Sequence, residues 1–277
     1  MTRRLLGGVV AAVAAFALVT APEASAATTT FAGAVALSNC SGSVVKPADT
    51  PDTAPALVMS NGHCLESGFP KPGQVIVGQK STRTFSLLSP DGKQSLGTLK
   101  AKKVVYATMT DTDVSLYQLD TSYAQIKQAY RISPLELAGT HPVAGTHIDV
   151  VSGYWKTIYS CSIDGFVNEL HENGWVWKDS IRYTPECETV GGTSGSPIVD
   201  TATGKVVGVN NTSNENGERC TLDNPCEVDG SGNVTVHPGT KYGEETAGIP
   251  ACLTPASEID LGRPGCALPK PAAGRVF

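Results

Sequence analysis

No C-x-x-C pair occurs among the eight cysteines of this 277-residue chain, which disfavours a structural zinc site built on closely spaced thiolates. There is also no H-E-x-x-H segment and no clustering of His with Asp, so a metal-dependent hydrolase has no support. Neither a metal nor a cofactor is expected. The formal net charge is −5 and basic clusters are absent, which argues against nucleic acid as a partner. Beyond the N-terminal stretch no segment approaches the ~20 apolar residues that span a bilayer as a helix. Internal repeats and low-complexity tracts are likewise missing.

What is present begins with a leader. Residues 1–26 carry Arg3 and Arg4, an apolar run of 15 residues from Leu5 to Val19, and the small-residue cleavage site Ala24-Ser25-Ala26. This reads as a secretory signal peptide, so the mature chain is expected to be secreted, soluble and free of the membrane. Its loss removes Arg3, Arg4 and Glu23 and takes the net charge to −6. Export to an oxidising space favours four disulfides among Cys40, Cys64, Cys161, Cys187, Cys220, Cys226, Cys252 and Cys266. Spacing alone does not give their pairing.

The remaining ~250 residues can bury a large core, as one all-β unit or two barrels. Segments such as "ALVMSNG", "QVIVG", "RTFSLLS", "KKVVYATM", "VSLYQL", "HIDVVSGY", "WVWKDSIRYT" and "KVVGVNN" are short and rich in Val, Ile, Thr and aromatics. Gly, Pro, Asn and Asp separate them, which is an all-β inventory. One helix is expected near Ser122 to Arg131, in the connection between two β halves of similar length.

The heptapeptide "GGTSGSP", Gly191 to Pro197, places three glycines and two serines just before the apolar run "IVD". Such a stretch is either a flexible turn or a loop presenting a nucleophilic Ser194. A base and an orienting carboxylate decide between the two. Of five histidines, His63 follows the apolar strand of "ALVMSNGHC" and is tethered by the adjacent Cys64. His141 and His237 precede proline in polar loops, His171 sits in the charged turn "NELHENG", and His147 opens a strand; all four read as exposed or structural. Asp113 immediately precedes the alternating run in "TDTDVSLYQL", where an orienting carboxylate is held best, with Asp111 two residues earlier as its rival.

Taken together, "SNGHC", "DVSLYQL" and "GGTSGSP", in the order His, Asp, Ser, resemble the signature segments of the chymotrypsin-fold, trypsin-like serine endopeptidases. The similarity is greatest to the glutamyl-endopeptidase-like and streptomycete secreted members, and it spans roughly residues 33 to 213. It implies two six-stranded antiparallel β-barrels with a disulfide-stapled C-terminal extension: residues 27–135 carrying His63 and Asp113, 136–250 carrying Ser194, and 251–277 as the extension. It implies further that His63, Asp113 and Ser194 form a catalytic triad and that the N–H groups of Gly192 and Ser194 form the oxyanion hole. On this reading Gly191 and Gly192 let the donors turn inward, Gly195 leaves room beside the serine, and Pro197 starts the anchoring strand. Asn211, Thr212 and Ser213 would line the substrate cleft.

A Cys40–Cys64 bridge is implied in the same way. Cys220–Cys226 and Cys252–Cys266 would close small loops, and Cys161–Cys187 competes with Cys187–Cys220. Thr193 stands where trypsin has the aspartate that receives a new N-terminal ammonium, so activation by that ion pair is not expected. The signal site lies only 13 residues before Cys40, which leaves no sizeable pro-segment. Glu188, six residues before Ser194, lies near the depth of the trypsin specificity carboxylate, although Cys187 is displaced from the family's usual cysteine and an exposed loop is the simpler reading. Glutamate-specific members use a histidine where this chain has Asn210 or Asn211. Protein or peptide substrates and a monomeric state follow from the resemblance. An α/β-hydrolase is disfavoured, because Ser196 replaces the last glycine of G-x-S-x-G and the histidine comes first in the chain. A catalytically inactive chymotrypsin-fold binding protein is the alternative.

Overall fold

The computed structural model of the protein describes residues 28–272, so the leader lies outside the described residues. The first half contributes β1 (Ala34–Ala36), β2 (Ser41–Lys46), β3 (Pro55–Ser60), β4 (Val75–Lys80), β5 (Thr84–Leu88), β6 (Ser95–Thr108) and β7 (Val114–Ser122). Six of these close an antiparallel barrel in the order β1-β5-β6-β7-β3-β2, with β2 pairing back onto β1 and β4 attached outside on β6. Closure leaves the six strands without a free edge.

Period-two alternation sends the side chains of β7 to two different cores. Tyr117 and Leu119 join the interior of the first barrel, whereas Val114 and Leu116 face a second core. Both faces of the strand are buried, and its two polar residues there, Ser115 and Gln118, donate to the carbonyls of Asn61 and Ser257. That second core lies between the two halves: Leu57, Met59, Val114 and Leu116 pack there with Val151, Val199, Val206 and Val209.

The expected helix is α1 (Tyr123–Tyr130), capped by Ser122. The Ser122 side chain accepts from the Gln125 backbone, the Gln125 side chain accepts from the Ser122 backbone, and Arg131 ends the helix at φ 60°. After it come β8 (Leu135–Glu136), β9 (His147–Ser152), β10 (Thr157–Glu172), β11 (Trp175–Tyr183), β12 (Pro197–Asp200), β13 (Val206–Ser213), β14 (Cys226–Val228), β15 (Val234–Thr235), β16 (Lys241–Glu245) and α2 (Ile249–Cys252). A second six-strand ring runs β11-β16-β13-β12-β9-β10 and closes through β10–β11 pairing, with β14 and β15 extending from β10.

One feature corrects the sequence reading of this half. The segment "NELHENG" is not a charged turn. His171 and Glu172 belong to β10, and the turn is the two-residue Asn173-Gly174, with φ of 45° and 90° at its centre. This is a tight hairpin of the primed kind, for which Asn-Gly is the favoured pair. Further along, β16 lies within the 136–250 half and supplies a strand of the ring itself.

Four disulfides are formed: Cys40–Cys64, Cys161–Cys187, Cys220–Cys226 and Cys252–Cys266. Cys187 therefore pairs with Cys161 and not with Cys220. The last bridge staples a segment that returns to the first barrel. There the Gln118 amide donates to the Ser257 carbonyl at 3.1 Å, Lys103 pairs with Glu258 at 2.6 Å, and Tyr106 donates to the Pro269 carbonyl at 3.0 Å. Among the described residues no helix is long and apolar enough to cross a membrane.

Candidate active site

Strand ends converge between the two rings. The turn after β3 carries His63, the residue before β7 is Asp113, and the loop before β12 carries Ser194. Asp113 has no exposed side-chain surface. Its Oδ1 accepts from the Gly62 N–H at 2.6 Å and the His63 N–H at 3.1 Å, while Oδ2 lies 2.8 Å from His63 Nδ1. A Cβ on Gly62 would sit 2.2 Å from the Thr108 carbonyl oxygen and 3.0 Å from Asp113 Oδ1, so only glycine fits there. The Asn61 amide donates to the Asp113 carbonyl at 2.8 Å, and the Ser115 hydroxyl donates to the Asn61 carbonyl at 2.7 Å. The rival Asp111 is engaged elsewhere: its carboxylate pairs with Lys178 at 3.0 Å, and its backbone bridges to Trp177 of β11.

Burial opposes a charged His63, but the Asp113 carboxylate, helped by the more distant Glu172 and Asp223, outweighs it. The imidazole therefore ends above its ordinary value. The sulfurs of Cys40 and Cys64 lie close to the same ring, but both are consumed in the disulfide.

Around Ser194 the backbone amides alternate between bonded and free. Thr193 N–H donates to the Val190 carbonyl at 3.0 Å, Gly195 N–H to Asn210 at 2.9 Å and Ser196 N–H to Thr193 at 3.0 Å. The N–H groups of Gly192 and Ser194 find no acceptor among the described residues. Gly192 and Gly195 hold φ of 90° and 81°, a region that costs L-residues with a side chain. The Ser194 hydroxyl donates to the Asn211 carbonyl at 3.3 Å rather than to His63.

Thr193 is buried, and its hydroxyl donates to the Val190 carbonyl and accepts from the Asn210 amide at 3.0 Å; the Asn210 oxygen accepts from Tyr183 at 3.2 Å. A neutral network thus anchors the loop at Thr193. Asn211, Thr212 and Ser213 of β13 line the cleft together with His63 and Ser194. Glu188 does not: it is exposed, outside the cleft walls, on the loop beside Cys187.

Two buried carboxyls escaped the sequence reading. Glu172, in the cleft lining, accepts from the Thr212 hydroxyl at 2.7 Å and from the Asp223 N–H at 3.0 Å, and burial pushes its pKa up to about 7. Glu244 on β16 accepts from the Asn211 amide at 2.8 Å and from Ser180 at 3.2 Å, and complete burial, with Asp113 nearby, raises it to about 8. The Asn-Gly turn could have placed Glu172 at a strand end. Glu244 has no local signal, because its strand is a short piece of an acidic stretch.

Comparison with known proteins adds the following. A family described as "Trypsin-like peptidase domain" matches residues 40–209. No curated protein matches the chain. Among solved structures, the MamO protease domain from Magnetospirillum magneticum is similar in fold, with a TM-score of 0.51 at 13% identity over 82% of this chain and 98% of that one. The protease Anisep from Arthrobacter nicotinovorans aligns at 17% identity over 79% of this chain and 92% of its own, with a TM-score of 0.45.

Proposed function

Because the chain belongs to the trypsin-like peptidase family, a group of peptide-bond hydrolases, we propose that it is a secreted serine endopeptidase in which His63, Asp113 and Ser194 act as one unit. The observation that carries this reading is the pair of unclaimed N–H groups at Gly192 and Ser194, on either side of the bonded Thr193 N–H and next to the serine hydroxyl. Backbone donors are rarely left without a partner unless a ligand or water meets them.

In the proposed reaction a rotation about χ1 frees the Ser194 hydroxyl from Asn211, and Oγ bonds to the carbonyl carbon of a bound peptide. His63 Nε2 takes the hydroxyl proton. Asp113, already facing Nδ1, keeps the ring in the right tautomer and stabilises the imidazolium. The carbonyl oxygen becomes an oxyanion that accepts from Gly192 and Ser194. Collapse breaks the C–N bond, and the leaving amine takes the proton from His63. Water then attacks the acyl-Ser194 ester by the same route and restores the enzyme. Thr193, held by Asn210, supports a loop that is ordered without a new N-terminal ammonium. Asn210 donates one amide N–H to Thr193 and accepts from Tyr183, which ties its side chain into the support of this loop.

Secretion rests on the leader and on the four disulfides. The test is to treat the purified protein with a fluorophosphonate probe and locate the adduct by peptide mass. Labelling at Ser194 that disappears in Ser194→Ala and His63→Ala is the expected result. The alternative, an inactive binding protein of the same fold, draws on the Ser194 to Asn211 bond; a folded protein that resists the probe would favour it.

A further inference from the structure

The turn between β9 and β10, residues 153–156, reaches across to the loop that carries Ser194. Its Trp155 is half exposed, yet the indole N–H donates to the Gly191 carbonyl at 2.7 Å. Tyr154 packs edge-on against that indole, with ring centroids 5.0 Å apart. A Cβ on Gly192 would stand 2.9 Å from Tyr154 and 3.0 Å from the Trp155 indole nitrogen, so the two aromatic residues lie directly against this peptide.

The turn is itself pinned to the site. Trp155 N–H donates to the Ser152 hydroxyl at 3.2 Å, and Tyr154 N–H donates to the Ser41 hydroxyl at 3.1 Å. That hydroxyl, 3.0 Å from Ser152 Oγ, in turn donates to the Gly192 carbonyl at 3.1 Å. The Ser194 carbonyl accepts from Ser41 N–H at 2.8 Å. Thus the carbonyls of Gly191, Gly192 and Ser194 are all engaged by Trp155 or Ser41, while the N–H groups of Gly192 and Ser194 find no acceptor among the described residues.

In a trans peptide the C=O and N–H point in opposite directions. Holding the Gly191 carbonyl toward Trp155 therefore aims the Gly192 N–H away from it. Glycine on both sides leaves this peptide free to turn over at small steric cost. Turned over, it would present a carbonyl oxygen where a donor is needed, so some other contact must select the orientation.

We propose that Trp155 is a positioning residue that holds the Gly191–Gly192 peptide with its N–H available to the oxyanion. This rests on the serine endopeptidase reading, and the experiment separates the two. Trp155→Phe keeps a ring against Tyr154 but removes the donor, and Trp155→Ala removes both. Both variants should lose roughly fivefold to tenfold in kcat, less than removal of an oxyanion donor itself, with KM unchanged. Affinity for a peptidyl boronate, which forms the tetrahedral adduct, should fall by a similar factor, and the melting temperature should stay near that of the parent. If Trp155→Phe matches the parent and only Trp155→Ala is impaired, the ring acts by packing and the assignment is overturned. A raised KM with unchanged kcat overturns it too, since the indole would then be a substrate contact. A readout independent of turnover is the Gly192 amide signal in protein labelled with ¹⁵N-glycine. It should shift or broaden in Trp155→Phe, and an unchanged signal sinks the tether. A parent that is inert to fluorophosphonate while the Gly192 signal still moves would remove the endopeptidase reading and leave the tether standing.

Discussion

Asp113 grips His63 twice with one carboxylate: Oδ1 accepts the His63 backbone N–H at 3.1 Å, and Oδ2 faces the ring Nδ1 at 2.8 Å. The ring and the turn that carries it are therefore oriented by the same buried group. In Asp113→Asn the Oδ1 bonds to Gly62 and His63 can persist, but an amide donor now faces Nδ1 and favours the wrong tautomer. A fall in kcat of about 10⁴-fold is expected with modest loss of stability. Peptide hydrolysis measured beside a melting curve checks this, and a loss of less than tenfold would count against the triad.

The acid side of the pH profile follows from the same cluster. The His63 pKa is raised from 6.5, so activity should be lost on acidification with a midpoint above that value. Glu172, pushed up to about 7 by burial, lines the same cleft, and its carboxylate adds to the rise at His63. Glu172→Gln removes a carboxylate that favours the imidazolium. Its kcat/KM profile should move to lower pH; an unmoved limb would show that Glu172 does not act on His63.

Glu244 makes a prediction about stability. Its carboxyl keeps a proton to about pH 8 in the folded chain and releases it near 4.5 when exposed. Between those values the folded state binds more protons than the unfolded one, so this group's contribution falls as pH rises from 4.5 toward 8. Glu244→Gln abolishes the titration while its side-chain oxygen can still accept from Asn211. Its melting temperature should exceed the parent's at about pH 8 and vary less with pH below that. Parallel pH slopes for the two proteins would show that Glu244 is not the source.

Gly195 and Gly191 should respond oppositely to a methyl group. At Gly195, φ is 81° and a Cβ would meet the Ser41 carbonyl oxygen and Ser60 Oγ, each at 2.2 Å, whereas nothing lies within 4 Å at Gly191. Gly195→Ala should cost about 3 kcal/mol, from backbone strain and overpacking together. Gly191→Ala should change folding stability by less than about 0.5 kcal/mol. Urea melts of the two variants decide it.

The last disulfide, Cys252–Cys266, joins residues 14 apart. Replacing both by serine should destabilise the chain by about 3 kcal/mol. Hydrogen exchange should increase at β6 and β7, where Lys103 and Gln118 hold the stapled segment. An increase confined to residues 252–266 would show that the segment does not support the barrel.

The sequence by itself determined the all-β class, the helix at Ser122 and the three segments around His63, Asp113 and Ser194, because each is written in local patterns. Strand period, a capping box, a glycine-serine loop before a buried strand and a carboxylate at a strand entrance all involve residues a few positions apart. The choice of Asp113 over Asp111 followed from adjacency to the apolar run; in the fold Asp113 faces His63, whereas Asp111 pairs with Lys178. The tertiary structure decided what depends on closure and register. The Cys187 partner, the strand role of β16, the exposure of Glu188 and the burial of Glu172 each depend on how distant segments meet. Trp155 reaches Gly191 across 36 positions, and Asn211 reaches Glu244 across 33. Barrel closure brings those pairs together, and no short window of sequence carries the strand register on which such contacts depend.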